Sequence, residues 1–296
     1  LLWSANQRMV GGEMLAKLGD GSYMLAARAR QIRDRLEALD QPRELDMLEL
    51  QLDDEALFLT RWRDLLLEVL TPAAAQADPR RAEARALVAD WQGRATPNAV
   101  GYRIVRRYRI ALAQQVFGHL TRACKEIDPE FVYRLSVHLY EGPLWQLARH
   151  QPPHLLAPEH ATWQSQHLAA VDAAIDFLLE GGASLEERSW GERNTLTIRH
   201  PLAGLPLIGR LLRMPAQQVP GDNYMPRVQH PAAGASERLV VAPGYEAEGT
   251  FQMPAGQSGH PLSKHFEDQH ATWVEGRPAS FLPGAPLAST ILRPHS

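Results

Sequence analysis

The stretch GQSGHPLSKHFEDQH, residues 256–270, brings serine, histidine and carboxylate side chains together within fifteen positions. Those residue types can supply a nucleophile, a metal site or an acid–base pair, and the spacing decides among them. Gly256-Gln257-Ser258-Gly259-His260 approaches the nucleophile elbow G-x-S-x-G, with histidine where the second glycine belongs. An elbow needs a strand, a sharp turn and then a helix at once. Here Pro261 follows closely, and the next helix is expected only from about Ser263. The glycines therefore shape a tight loop. His260, His265 and His270 repeat every five residues. On a helix each such step turns the side chain by about 140°, so the three do not converge on one ion. His265 reaches Asp268 or Gln269 one turn on, and two ligands do not make a metal site.

Other candidates fare no better alone. Asp53-Asp54-Glu55 is expected inside a helix, where adjacent residues diverge by about 100° and the carboxylates line a solvated surface. Arg103, Arg106, Arg107 and Arg109 alternate with apolar residues at helical spacing and are expected on a solvated face. With a net charge of −3 and interspersed signs, the chain has no long-range pull toward nucleic acid or an anionic membrane. Cys124 is the single cysteine, which excludes an internal disulfide and a Cys-rich zinc site. No apolar run reaches the roughly 18–20 residues of a membrane span.

The elements that must position these residues fall into two halves. Helices are expected over 22–39, stopped by Gln41-Pro42; over 45–70; and from Asp78-Pro79 to Gly93. Others are expected over 98–120, 129–141 and 159–180, the last closed by Gly181-Gly182. After Gly182, residues 195–199 alternate as a half-buried strand does, and 238–242 and 249–253 read as strands turning at Pro243-Gly244. Three strands scattered through a loop-rich tail make no independent sheet; they are expected to join a larger one.

Several segments together resemble one family, the penicillin acylases (penicillin amidases) among the N-terminal-nucleophile hydrolases. They are SANQRM at 4–9, LDMLELQLDDEALFLTRW at 45–62, DWQG at 90–93 and SWGERNTLTIRHPL at 189–202. VPGDNYMPRV at 219–228, GASERLVV at 234–241 and PAGQSGHPLSKHFEDQHATW at 254–273 follow in the same order. The resemblance implies a precursor that cuts itself into an α and a β subunit. It also implies an N-terminal serine nucleophile with its own α-amino group as base, and an acyl-enzyme on the way to amide hydrolysis. A backbone N–H and an asparagine side chain would hold the oxyanion. Substrates would be linear amides, with penicillin-type or acyl-homoserine-lactone-type side chains as examples.

The fold so implied is α+β: a helical body plus strands that complete a four-layer αββα sandwich. Residues 1–20 are expected to enter from a preceding catalytic half, 21–185 to form the helical body and 186–296 to complete the sandwich. Leu1 has no hydroxyl or thiol, so the chain is expected to be the C-terminal half of a β subunit, with nucleophile and oxyanion residues upstream and no activity alone. Asn6 and Asn98 lie outside the oxyanion motif as aligned and receive no role. No cofactor is expected in this chain; the structural calcium of the family would use residues outside it. The expected partners are the α subunit, the N-terminal half of the β subunit and a small amide, and the location the resemblance implies is periplasmic or secreted, in a bacterium. In cephalosporin acylases a glutamate supports the histidine beside the nucleophile; the aligned position is Ala235, which disfavours that type. GQSGHPLSKHFEDQH then becomes a structural corner, with Ser263 capping a short helix that bears His265 and Asp268. Ser258, His260, His265 and Asp268 could still steady a reacting group by hydrogen bonds. Two rivals stand beside this reading: a non-catalytic helical scaffold, and a hydrolase using Ser258 with His265.

Overall fold

The structure, a computed structural model, describes residues 1–294 except 20–22, 132, 134–139 and 207–208. The helices are α1 (Gly12–Leu18), α2 (Ala27–Glu37), α3 (Glu44–Gln51), α4 (Leu57–Val69), α5 (Pro72–Gln76) and α6 (Pro79–Asp90). They continue with α7 (Val100–Leu120), α8 (Arg122–Ile127), α9 (Glu141–His150), α10 (Trp163–Leu179), α11 (Trp190–Arg193) and α12 (His270–Glu275). Most of the helix expected over 129–141 lies outside the described residues.

The long helix α7 runs through the core with α4, α6 and α10 packed around it. Tyr102, Val105, Tyr108, Leu112 and Val116 recur at helical spacing and are buried. On α4, Leu59, Trp62, Leu66 and Val69 face them. The α6–α7 approach is close enough to require glycine: a Cβ on Gly101 would lie 2.4 Å from the Leu87 carbonyl oxygen. Asp78 caps α6 by accepting from the Arg80 N–H at 2.9 Å, with Pro79 in its first turn, as the sequence indicates.

The expected single helix over 45–70 is broken into α3 and α4. Asp53 causes the break, its Oδ1 accepting from the Glu55 N–H two residues on at 2.9 Å, a local bond that competes with the helical ladder. The freed backbone is stitched to the segment after α6, Ala56 N–H to Gly93 O at 2.8 Å and Ala95 N–H to Asp54 O at 2.9 Å.

Beyond α10 regular structure thins. Residues 195–199 make only isolated bridges, Thr195 with Gln218 and Arg199 with Arg213, rather than a strand. Two small antiparallel pairs follow: β1 (Gln229–His230) with β2 (Ala233–Gly234), and β3 (Arg238–Val240) with β4 (Thr250–Gln252). In β3 Arg238 and Val240 are buried, Arg238 only 1% exposed, whereas Leu239 between them is 44% exposed. The mix of helices and short strands is α+β.

Candidate functional site

The 256–270 corner folds around backbone contacts. Gly256 N–H donates to Phe266 O at 2.8 Å and Ser258 N–H to His265 O at 2.9 Å. A Cβ on Gly256 would sit 1.9 Å from that same His265 oxygen, so glycine is obligatory there. The Ser258 hydroxyl accepts from the His260 N–H at 3.1 Å, and the Ser263 hydroxyl from the His265 N–H at 3.1 Å. Both close local turns. Ser263 therefore caps no helix; residues 261–269 are turns, and the helix begins at His270.

His265 and Asp268 do meet, Nδ1 to Oδ2 at 2.7 Å, with both side chains exposed. His260 is exposed, and its Nδ1 accepts from the Leu262 N–H at 3.2 Å. His270 is buried and engages Pro254 O at 2.8 Å. The structure brings His265 to Asp268 but aims neither at the Ser258 hydroxyl, so no nucleophile–base pair forms. Among the described residues no three His, Cys, Asp or Glu side chains are grouped as metal ligands.

Where sequence periodicity indicated solvated surfaces, the structure places buried ion pairs. Arg109 is 1% exposed and directs Nε (2.8 Å) and a terminal nitrogen (2.5 Å) onto Oε2 of buried Glu141. Arg61 (2.5 Å) and the Trp62 indole N–H (2.8 Å) hold Oε1 of the same carboxylate. Arg106 donates to Asp222 Oδ2 at 2.6 Å, as does the Tyr102 hydroxyl at 2.6 Å. Burial alone would raise the Asp222 pKa, but the charge and hydrogen bond of Arg106, with Tyr102 and the Asn223 N–H, leave it below the ordinary carboxylate value. Arg103 pairs with Glu192, and Arg107 lies over the Phe177 ring at 3.8 Å. The arginines of α7 thus tie the helical body to the tail; they do not form a solvated face.

The acidic triplet is likewise structural. Asp53 accepts from Gln31 Nε2 (2.9 Å) and Arg35 Nε (2.9 Å), and Asp54 pairs with Arg94 at 2.5 Å. Burial raises the Asp54 pKa against the opposing pull of Arg94 and Arg227. The signal that exposes this error is the Asp-Asp-Glu run itself: an aspartate that bonds its own backbone interrupts a helix.

One arrangement received no role from the sequence. Asn6 is exposed and adopts the left-handed conformation with φ 63°. Asn takes that region more readily than other non-glycine residues, and such positions cluster at active sites and ligand clamps. Its carbonyl accepts from the Met24 N–H at 2.9 Å, and its side-chain Oδ1 accepts from Arg28 at 2.5 Å. The same Arg28 nitrogen donates to Ala5 O at 3.0 Å. A guanidinium can only donate, which fixes the amide with oxygen toward Arg28 and Nδ2 away from it. Nδ2 has no partner among the described residues. Arg28 has no carboxylate partner there either, and burial pulls its pKa below the ordinary guanidinium value. The result is a polarised amide N–H₂, held by a desolvated cation and free to donate to an oxygen.

Residues 1–283 match the sequence profile of the penicillin amidase family. Penicillin acylase 2 proenzyme of Pseudomonas sp. (strain SE83) is 31% identical to the chain over 113 residues. That stretch covers 35% of this chain and 15% of the relative, so the chain corresponds to well under two thirds of that protein's length. With nearly its whole length matched, from the Asn6 turn through the Gly256 corner, the chain belongs to the penicillin amidase family.

Proposed function

We propose that this chain is part of an amidase that cleaves a linear amide through an acyl-enzyme, and that Asn6 supplies a side-chain donor to the tetrahedral oxyanion. The observation that carries the reading is the Asn6–Arg28 pair: Oδ1 is held at 2.5 Å in a left-handed turn, and Nδ2 has no partner among the described residues. Attack on an amide carbonyl puts negative charge on its oxygen. A pre-set N–H donor stabilises that charge at no reorganisation cost. Arg28 adds to this by polarising the amide and by fixing its orientation. On this reading one residue that meets the reacting carbonyl lies inside the chain, at a position to which the sequence alone gives no role.

The nucleophile belongs to a segment outside these residues. In support, the Ser258 hydroxyl makes no hydrogen bond to a histidine side chain among the described residues, and Cys124 is exposed on α8. An N-terminal serine, threonine or cysteine with its own amine as base fits the family and asks nothing further of this chain. The outward apolar side chains of Leu239 on β3 and Val241 just beyond it support a neighbouring layer over that face, as in a four-layer αββα sandwich. The α subunit and the preceding part of the β subunit, cut from one precursor, would supply that layer. The word proenzyme in the relative's name is consistent with such processing. Any structural calcium would be held by those segments, and export to the periplasm would suit the family.

The test is steady-state kinetics of the mature protein on a panel of aryl- and alkyl-acyl p-nitroanilides. Asn6→Ala should lower kcat by about 10²–10³-fold with KM nearly unchanged, the cost of removing one oxyanion donor. Asn6→Ala with full kcat would sink the assignment.

A further inference from the structure

Between Glu192 and Asp222 the chain carries four arginines, Arg193, Arg199, Arg210 and Arg213, and no carboxylate. Hydrogen bonds join residues 196–200 to 212–217 as the two legs of an arm. They run from Leu196 N–H to Gln217 O, from Met214 N–H to Ile198 O and from His200 N–H to Leu212 O, each 2.9 Å. At its tip lie two turns of 3₁₀ helix, Pro201–Gly204 and Gly209–Leu212. They pack so closely that a Cβ on Gly209 would sit 2.4 Å from Ala203 O. Ala203 and Leu212 are buried, whereas Leu202, Leu205 and Leu211 are each about half exposed. Arg210 and Arg213 line an open cavity of about 430 Å³ beside Leu205.

None of the four arginines forms an ion pair among the described residues, and Arg213 makes only a long contact with Ala203 O at 3.5 Å. Arg103, Arg106 and Arg109 of α7, by contrast, each hold a carboxylate. The net charge of −3 hides this local excess, but a surface within a Debye length meets the local charge. Exposed leucines among unpaired arginines complement an anionic boundary with an apolar interior. A protein layer burying this tip would have to supply carboxylates for the guanidiniums it desolvates. A bilayer demands none: the leucines enter the acyl boundary, and the arginine stems lie along it with their heads at the phosphates. Leu239 and Val241 differ, for they lie in a stretch that bears Glu237, Glu246 and Glu248, which suits a protein neighbour.

We propose that Leu202, Leu205 and Leu211 seat in the surface of an anionic lipid bilayer, with Arg199, Arg210 and Arg213 on its phosphates. The contact is independent of the amide chemistry.

The test is co-sedimentation of the mature protein with phosphatidylcholine vesicles prepared with and without phosphatidylglycerol. The protein should bind the mixed vesicles, release them at high salt and ignore phosphatidylcholine alone. Arg199→Gln with Arg210→Gln should weaken binding about 30-fold, at about fivefold per arginine. Neither side chain holds a hydrogen bond among the described residues, so this variant keeps the fold. Leu202→Ser with Leu205→Ser should weaken binding at least about tenfold. Asn6→Ala and Leu239→Ser should bind as the parent does, which separates this surface from the oxyanion donor and from the β3 face. A mature protein that binds no vesicle, as when the rest of the polypeptide covers the tip, overturns the proposal. So does parental binding by either double variant, equal binding to neutral vesicles, or binding lost with Leu239→Ser.

Discussion

Replacing Glu141 by glutamine tests the claim that the α7 arginines hold the body together. Glu141 is 2% exposed and receives four hydrogen bonds, from Arg109 on Oε2 and from Arg61 and Trp62 on Oε1. Glutamine keeps the volume but offers one oxygen and one N–H₂. Whichever way it turns, a donor faces donors, and the 1%-exposed Arg109 loses its counter-charge. Breaking one side of a buried pair costs about 3–5 kcal/mol, far above the value of an exposed pair. Urea unfolding followed by tryptophan fluorescence reads this directly, because Trp62 is bonded to the altered group. Glu141→Gln with Arg109→Met should recover much of the loss, since the fully buried charge is removed and the remaining one, on Arg61, is 39% exposed. A single-variant cost below about 1 kcal/mol, or a double variant no more stable than the single, would refute the reasoning.

Further predictions follow from other sites. His167, whose Nδ1 lies 2.7 Å from the buried Tyr108 hydroxyl, has its pKa lowered by burial from 6.5 to about 4. The folded state therefore resists protonation: the stability is fully present above about pH 6.5 and is lost as pH falls toward 4. At about 1.4 kcal/mol per pH unit the loss reaches about 3 kcal/mol, and His167→Gln should flatten that part of a urea-midpoint profile. Gly256→Ala should cost about 1–3 kcal/mol or unfold the tail, whereas Gly259→Ala, with nothing within 4 Å of its added Cβ, should be neutral in thermal melts. Ser258→Ala should keep kcat within about twofold, and complete loss of activity would reinstate the serine as nucleophile.

Much of the helical body was legible because its elements carry strong local signals. Asp78-Pro79 and Gly181-Gly182 mark ends that no tertiary contact needs to define. The α4 stripe of Leu59, Trp62, Leu66 and Val69 declares its buried face. What was lost depends on partners distant in sequence. Arg106 reads as a surface residue until Asp222, 116 residues away, comes into contact with it. Asp53 looks like solvated helix until Gln31 and Arg35 close on it. The Gly256 corner declares itself as a turn, but a serine that closes a local turn has the same sequence signature as a helix cap, so Ser263 does not mark where the helix starts. Asn6 is silent in the sequence because its geometry lies in a backbone angle and an arginine 22 residues on, neither of which is a motif.

N-terminal sequencing and intact mass of the mature protein from the complete gene, before and after reaction with a serine-directed acylating probe, decide whether the nucleophile proposed above lies outside this chain. The expected result is a terminus at serine, threonine or cysteine outside these residues that carries the probe's mass, with a second chain copurifying. A mature protein beginning at Leu1 without a companion, or the label on Ser258, would overturn the assignment.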